Sequence, residues 1–325
     1  MSLTVSLDVT ELAGTRFAIS PLAETVAALV LLSDRAGPGP HGRWLRWAVG
    51  EARSLHLPAT WPLLVNDRRF WPEFLLPAPE GFAPAIDDDL AALRRTTSGQ
   101  VRTGLFRVFG DDLPPAAARL AAAPAAGLRR IAAELHEAYE TLVAPHWPKI
   151  RSLLGADVAH RAAQLAEGGA ARLFAALHPD LDWHEGRLIQ RSRPGDRTIR
   201  PAPGGLVLMP SALRSSSAHI RASTSTWTTV RYPARGIGTL WTAGTHPAAG
   251  AAANLLGRAR ADLLEALRSP ATGADLARSL GVTPSAVSQH LRILRDSGLV
   301  TGTRSGRRVL YTTTGLGLSL LRPPA

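Results

Sequence analysis

Ser285, Ser288, Gln289 and Arg292 follow one another at helical spacing, so in a helix they share one face. Their chemistry is hydrogen bonding rather than bond making. Short hydroxyls, a planar amide and a guanidinium suit base edges and phosphates in the major groove of a duplex. Gln289 can address adenine through two hydrogen bonds, and Arg292 can address guanine or a phosphate. Further along, Arg304, Arg307 and Arg308 flank Ser305-Gly306. A hairpin turning there carries three guanidinium groups at its tip, placed for backbone phosphate or an adjacent minor groove.

These side chains need elements to hold them. Val287, Leu291 and Leu294 give the first group of residues an inward helix face, with Thr283 as N-cap and Pro284 at the first helical position. The first turn of that helix contains no acidic residue, which leaves its positive dipole end open to a phosphate. Upstream, Thr272 and Asp275 have capping-box spacing, and Leu276, Ala277 and Leu280 supply the buried side of a short second helix. Gly281 sits just past it, where glycine best tolerates a left-handed turn. Leu256, Ala259, Leu263 and Leu267 predict one face of a single first helix, ended by Ser269-Pro270. Leu299 to Thr312 reads as two strands. The whole is a helix-turn-helix with a hairpin beside it.

The run from Ser285 to Val300, followed by Arg304-Ser-Gly-Arg-Arg308 and Tyr311, resembles the recognition helix and wing of ArsR-family regulators. The likeness covers about residues 254–314, in order and without gaps. It implies a winged helix that binds double-stranded DNA through Thr283, Ser285, Ser288, Gln289 and Arg292, with Arg304, Arg307 and Arg308 on phosphate. It also implies a homodimer that represses by occupying an operator. Many members of the family sense metal through cysteines in the second helix, or through Asp and His after the wing. Here residues 271–280 lack cysteine and residues 313–325 lack Asp and His, so no metal site is expected. His290 is expected to pack or cap. Thr15 to Thr25, Gly205 to Ser211 and Tyr232 to Gly236 bear a looser likeness to the long region of unassigned function that precedes this winged helix in some actinobacterial regulators.

A chain of 325 residues is most simply two domains, here 1–245 and 250–322. Hydrophobic residues make up 45% and charged residues 19%, the composition of a folding chain rather than a disordered one. Without cysteine there are no disulfides, thiolate metal sites or thiol switches. Residues 250–325 hold ten arginines against four acidic residues, a net +6 of the total +11. Positive charge concentrated at one end is the footprint of a polyanionic partner. No stretch has the length and apolarity of a membrane span and the N-terminus has no export signal, which predicts a cytoplasmic protein that stays off the membrane.

The N-terminal region reads as mixed, giving α+β as the fold class. Leu3, Val5, Leu7 and Val9 alternate as in a strand. Ser20-Pro21 starts a buried helix, Gly37 to Gly42 breaks the chain, and Trp44 and Trp47 share a helix face. Residues 115–143, interrupted near Pro124, and residues 151–177 read as helical. Trp183, Leu188, Leu206 to Met209 and Thr226 to Tyr232 read as short strands, with a turn at Gly204-Gly205. A small-residue stretch from Thr245 to Ala253 is a short linker or an extension of the next helix.

Other motifs carry less. Gly37, Gly39 and Gly42 have dinucleotide-loop spacing, but prolines fill the gaps and no strand precedes them. His136 to Glu140 lacks the second histidine of a zinc protease. His178-Pro-Asp-Leu-Asp-Trp-His-Glu185 has potential metal ligands but reads as turns. No nucleophile, cofactor loop or assembled catalytic set is present, so no catalytic residue, metal or cofactor is nominated. The expectation is a DNA-binding regulator with a possible small-molecule effector in the N-terminal domain, whose tryptophans serve a pocket or, for most, the core. An enzyme tethered by its winged helix and a DNA-bound adaptor stay open as alternatives.

Overall fold

Alternating burial of Leu3 and Val5 forms β1 (Ser2–Ser6) in the computed structural model. The structure describes residues 2–33, 39–67, 70–191, 197–202, 204–214, 217–222, 227–241, 247–268, 271–280, 282–305 and 308–321. The expected strand stops short of Val9. Asp8 and Glu11 close a reciprocal capping box, so α1 (Val9–Ala13) begins there and Val9 is exposed. The local cap overrides the alternation. The chain divides into two units, Met1–Trp241 and Thr242–Ala325.

In the first unit, β2 (Arg16–Phe17) leads to α2 (Pro21–Ser33). Ser20 caps this helix by accepting from Ala23 N at 2.9 Å. Next come α3 (Gly42–Glu51), α4 (Trp61–Leu64), α5 (Ile86–Arg94) and α6 (Ser98–Phe109). Then α7 (Pro115–Ala122) and α8 (Pro124–Leu142) meet at Pro124. In α9 (Trp147–Ala175) the helix breaks at Gly168-Gly169, where Gly169 takes φ 65°.

Strands follow: β3 (Leu181–His184), β4 (Arg187–Arg191), β5 (Arg197–Ile199), β6 (Leu206–Ser211), β7 (His219–Ala222) and β8 (Thr228–Pro233). Two four-stranded sheets result, in the orders β3-β4-β1-β5 and β2-β6-β8-β7. In the second, β6 and β8 are parallel with Met209 opposite Arg231, while β7 runs antiparallel to β8. That sheet separates two cores. Leu206, Leu208, Val230 and Tyr232 pack with Leu3, Val5 and Leu188 of the other sheet, whereas Val207 and Met209 pack with the helices.

A buried network ties α9 to these strands. Asp157 accepts from Tyr232 Oη at 2.9 Å and from Arg235 N at 3.0 Å. Arg161 lies 3.7 Å from the same carboxylate and donates to Ala176 O and Leu177 O beyond the Gly168-Gly169 break. The tryptophans serve mainly in packing: Trp44, Trp47 and Trp241 form an aromatic cluster with His146. Trp183 stacks on Phe174, and Trp227 lies under Arg16. Trp61 lines an apolar cleft with Leu29, Leu32 and Val49.

The second unit comprises α10 (Pro247–Leu256), α11 (Arg258–Ala266), β9 (Ala271–Thr272), α12 (Gly273–Leu280), α13 (Pro284–Asp296), β10 (Val300–Ser305), β11 (Arg308–Thr313) and α14 (Gly315–Leu320). The expected single first helix is two. Gly257 takes φ 81° between them, so Leu256 and Ala259 leave the phase of Leu263, and Ala259 is exposed. Ala261, Leu263, Leu264 and Leu267 form the buried side instead. Mixed helices and sheets across both units make the fold α+β. Among the described residues no helix is long and apolar enough to cross a membrane.

Candidate nucleic-acid interface

The second unit positions α13 through local signals. Leu276 and Ala277 of α12 are buried, and Val282 N donates back to Ala277 O at 3.1 Å. Gly281 lies outside the described residues. Thr283 then caps α13 with Pro284 first, accepting from Ala286 N at 3.3 Å. Val287, Leu291 and Leu294 are buried against the unit's core, which includes Ala261, Leu263 and Leu299. Gly298 at φ 70° ends the helix, and Leu299 N donates to Leu294 O at 2.9 Å.

With that side buried, Thr283, Ser285, Ser288, Gln289 and Arg292 are all exposed. The structure therefore brings the five predicted helix residues to one accessible surface. Three of them already have local partners. Thr283 Oγ1 lies 3.1 Å from Ser285 Oγ, and Ser288 Oγ donates to Pro284 O at 2.8 Å. A hydroxyl that donates locally keeps acceptor lone pairs, so each can still receive a hydrogen bond. The first turn of α13 contains no acidic side chain. His290 is half-buried, and among the described residues its Nδ1 has no hydrogen-bond partner, so it caps nothing through that atom.

β10 and β11 pair antiparallel from Val300↔Thr313 to Ser305↔Arg308. Gly306 and Arg307 lie outside the described residues. Arg304 and Arg308 occupy the hairpin's last paired positions; their side chains lie outside the described part as well. Residues 271–272, expected as a turn and cap, form β9, which adds a third strand beside β11. Asp275, the other half of the expected capping box, has its side chain outside the described part.

Residues 258–301 match the family profile described as bacterial regulatory protein, arsR family. The second unit carries an ArsR-family helix-turn-helix. Similar stretches occur in two relatives from Mycobacterium tuberculosis. The HTH-type transcriptional regulator NmtR (strain ATCC 25618 / H37Rv) is 47% identical over 51 residues, 15% of this chain and 42% of that protein. The HTH-type transcriptional repressor SmtB (strain CDC 1551 / Oshkosh) is 57% identical over 37 residues, 11% of this chain and 27% of that protein. The ArsR-type likeness thus spans under half of either relative and leaves the N-terminal unit unassigned. No solved structure matches the chain.

Elsewhere, the stretch from His178 to Glu185 forms turns and strands. His178 Nδ1 accepts from Asp180 N at 3.1 Å, while His184 and Glu185 are exposed at a hairpin bend. Among the described residues no three His, Asp or Glu side chains gather as metal ligands do. Sequence reasoning missed a buried arginine group on β7 and β8, and also α5 and α6. The Thr97-x-x-Gln100 capping box was the available signal for α6.

Proposed function

We propose that the chain is a cytoplasmic transcriptional regulator, a dimeric repressor of the ArsR type without metal sensing. Residues 250–322 serve as the DNA-binding domain, and residues 1–245 sense an effector, join in dimerisation, or both. The observation that carries the reading is α13: one side locked in the core by Val287, Leu291 and Leu294, the other offering five polar side chains to solvent. Such a helix fits a major groove, and a pair in a dimer fits half-sites about one helical turn apart. Leu255 on α10 and Leu316 and Leu318 on α14 are exposed, 70%, 58% and 39%, and support a self-association surface. The absence of cysteine, and of Asp and His after residue 312, supports an effector other than a metal at the family's usual positions.

The test is duplex binding by the full chain across a salt series. Replacing Arg304, Arg307 and Arg308 together with Ala weakens binding to every duplex, and the log–log salt slope falls by about 0.9 for each phosphate that is no longer neutralised. An unchanged slope removes the hairpin from the interface. Wild-type protein that retains no genomic duplex in dilute buffer overturns the regulator reading.

A further inference from the structure

Between α2, the end of α3 and the start of α4 the N-terminal unit leaves a cleft of about 530 Å³, within the roughly 300–1,000 Å³ of sites that take small organic ligands. Leu29 of α2 and Leu57 line it from the core side, both buried, and the half-buried Trp61 ring adds a wall. These walls are tied from within. Trp61 N donates to Leu57 O at 2.8 Å, and the buried Glu134 of α8 accepts from Thr60 N at 2.8 Å, so the apolar lining is formed before anything enters.

The rim is cationic. Val49, 51% exposed near the end of α3, is followed by a single tight turn, Ala52–Ser54. Leu55 N closes that turn by donating to Ala52 O at 3.2 Å, and Ser54 Oγ donates to Glu51 O at 2.8 Å. The turn sets Arg53 at the cleft, with His56 close behind it, and both are exposed. Among the described residues Arg53 has no hydrogen bond or ion pair, and no carboxylate lines the cleft. An apolar cavity with an open guanidinium at its mouth complements a molecule that is apolar along its body and negative at one end. Neither a neutral hydrocarbon nor a cation uses both features.

We propose that this cleft binds a small amphipathic anion, with its hydrocarbon body against Leu29, Leu57 and Trp61 and its anionic head on Arg53. Burial of the body supplies most of the affinity, because Arg53 stands in solvent and an exposed ion pair adds about fivefold at most. The role of the site rests on the effector reading of residues 1–245. Ligand binding is therefore titrated without DNA, and duplex retention with and without ligand is a separate measurement, so each can fail alone.

Calorimetric titration of the full chain at low, constant ionic strength tests this, with decanoate and decyltrimethylammonium as probes. Saturable binding of decanoate is expected, with the cation of equal chain length weaker. Arg53→Glu should weaken decanoate by about fivefold and strengthen the cation. Val49→Glu, which sets a carboxylate at the apolar lining, should weaken decanoate by about tenfold or more. Both side chains stand in solvent, so neither change disturbs the core. A lack of saturable decanoate binding overturns the proposal, as do equal affinities for the two probes or wild-type decanoate affinity in R53E. Decanoate affinity unchanged in V49E moves the site elsewhere and overturns it. Self-association in sedimentation that V49E abolishes, with no decanoate bound by wild type, gives the cleft to a second copy of the chain instead.

Discussion

On α13 of the C-terminal unit, Thr283, Ser285, Ser288, Gln289 and Arg292 stand in solvent, whereas in the N-terminal unit Glu24, Asp89, Asp157, Arg161 and Arg231 are all buried. Exposed polar groups keep their hydration until a partner replaces it, so substituting them changes binding and leaves the fold intact. Buried ones must be satisfied inside the protein or by a ligand, because an unpaired buried charge is costly. The N-terminal unit satisfies most of its buried groups internally: Asp157 through Tyr232 and Arg235, Asp89 through Ser20 and Leu22. Among the described residues Arg231 Nε and Nη2 are left without a hydrogen-bond partner, as are Glu24 Oε1 and Arg161 Nε.

The largest effect expected from this contrast is at Asp157. Asp157→Ala strips Tyr232 Oη and Arg235 N of their acceptor and leaves Arg161 buried without its carboxylate, at a cost of about 3–5 kcal/mol. Denaturant unfolding followed by circular dichroism should show the N-terminal transition shifting while the C-terminal one stays. A loss below about 1 kcal/mol, or a shared shift, would break the comparison.

Glu24 sharpens it through pH. Burial raises its carboxyl from 4.5 to about 7, and that of Asp89 from 3.8 to about 6. In that window the folded chain binds protons the unfolded chain has released, so these groups' stabilising contribution is lost as pH rises through their folded values. His41, lowered by burial from 6.5 to about 4, acts in the opposite sense, its contribution vanishing as pH falls through that range. Glu24→Gln should therefore flatten the decline between about pH 5 and 7, gaining roughly 2–3 kcal/mol over wild type at higher pH. A variant whose stability runs parallel to wild type across this range would refute the assignment.

The smallest of the three effects belongs to the exposed group. Gln289→Ala should leave unfolding unchanged and relax base preference at one operator position by about 1–3 kcal/mol, measured by competition between duplexes differing at single base pairs. A loss spread evenly over all duplexes would move Gln289 to the DNA backbone. A shift in the unfolding midpoint would show that the exposed side of α13 has a structural role.

How much of this was legible varies with the range of the interaction. The start of α13 is written in neighbouring residues: Thr283 caps, Pro284 follows, and Val287, Leu291 and Leu294 recur at helical spacing. Capping, turns and one-sided burial act over a few residues, so reading the string suffices. The same locality misled at Val9 and Ala259, where an apolar pattern ran on past a break made by Asp8 or Gly257. Val9 and Ala259 matched the pattern in type, but the backbone had already turned.

The amino-acid string alone determined that a basic C-terminal segment would fold as a helix-turn-helix with five polar residues on the outer side of its last helix. Only the tertiary structure decided the placement of Arg231. Its neighbours come from β7, the loop after β6, α2 and Trp71, and Arg221 bonds Trp71 across a separation of 150 residues. Alternation marks Arg221 and Arg231 as facing one side of a sheet but cannot say whether that side meets water or helices. That depends on which strands pair and what packs over them, and pairing between distant segments leaves no local signature.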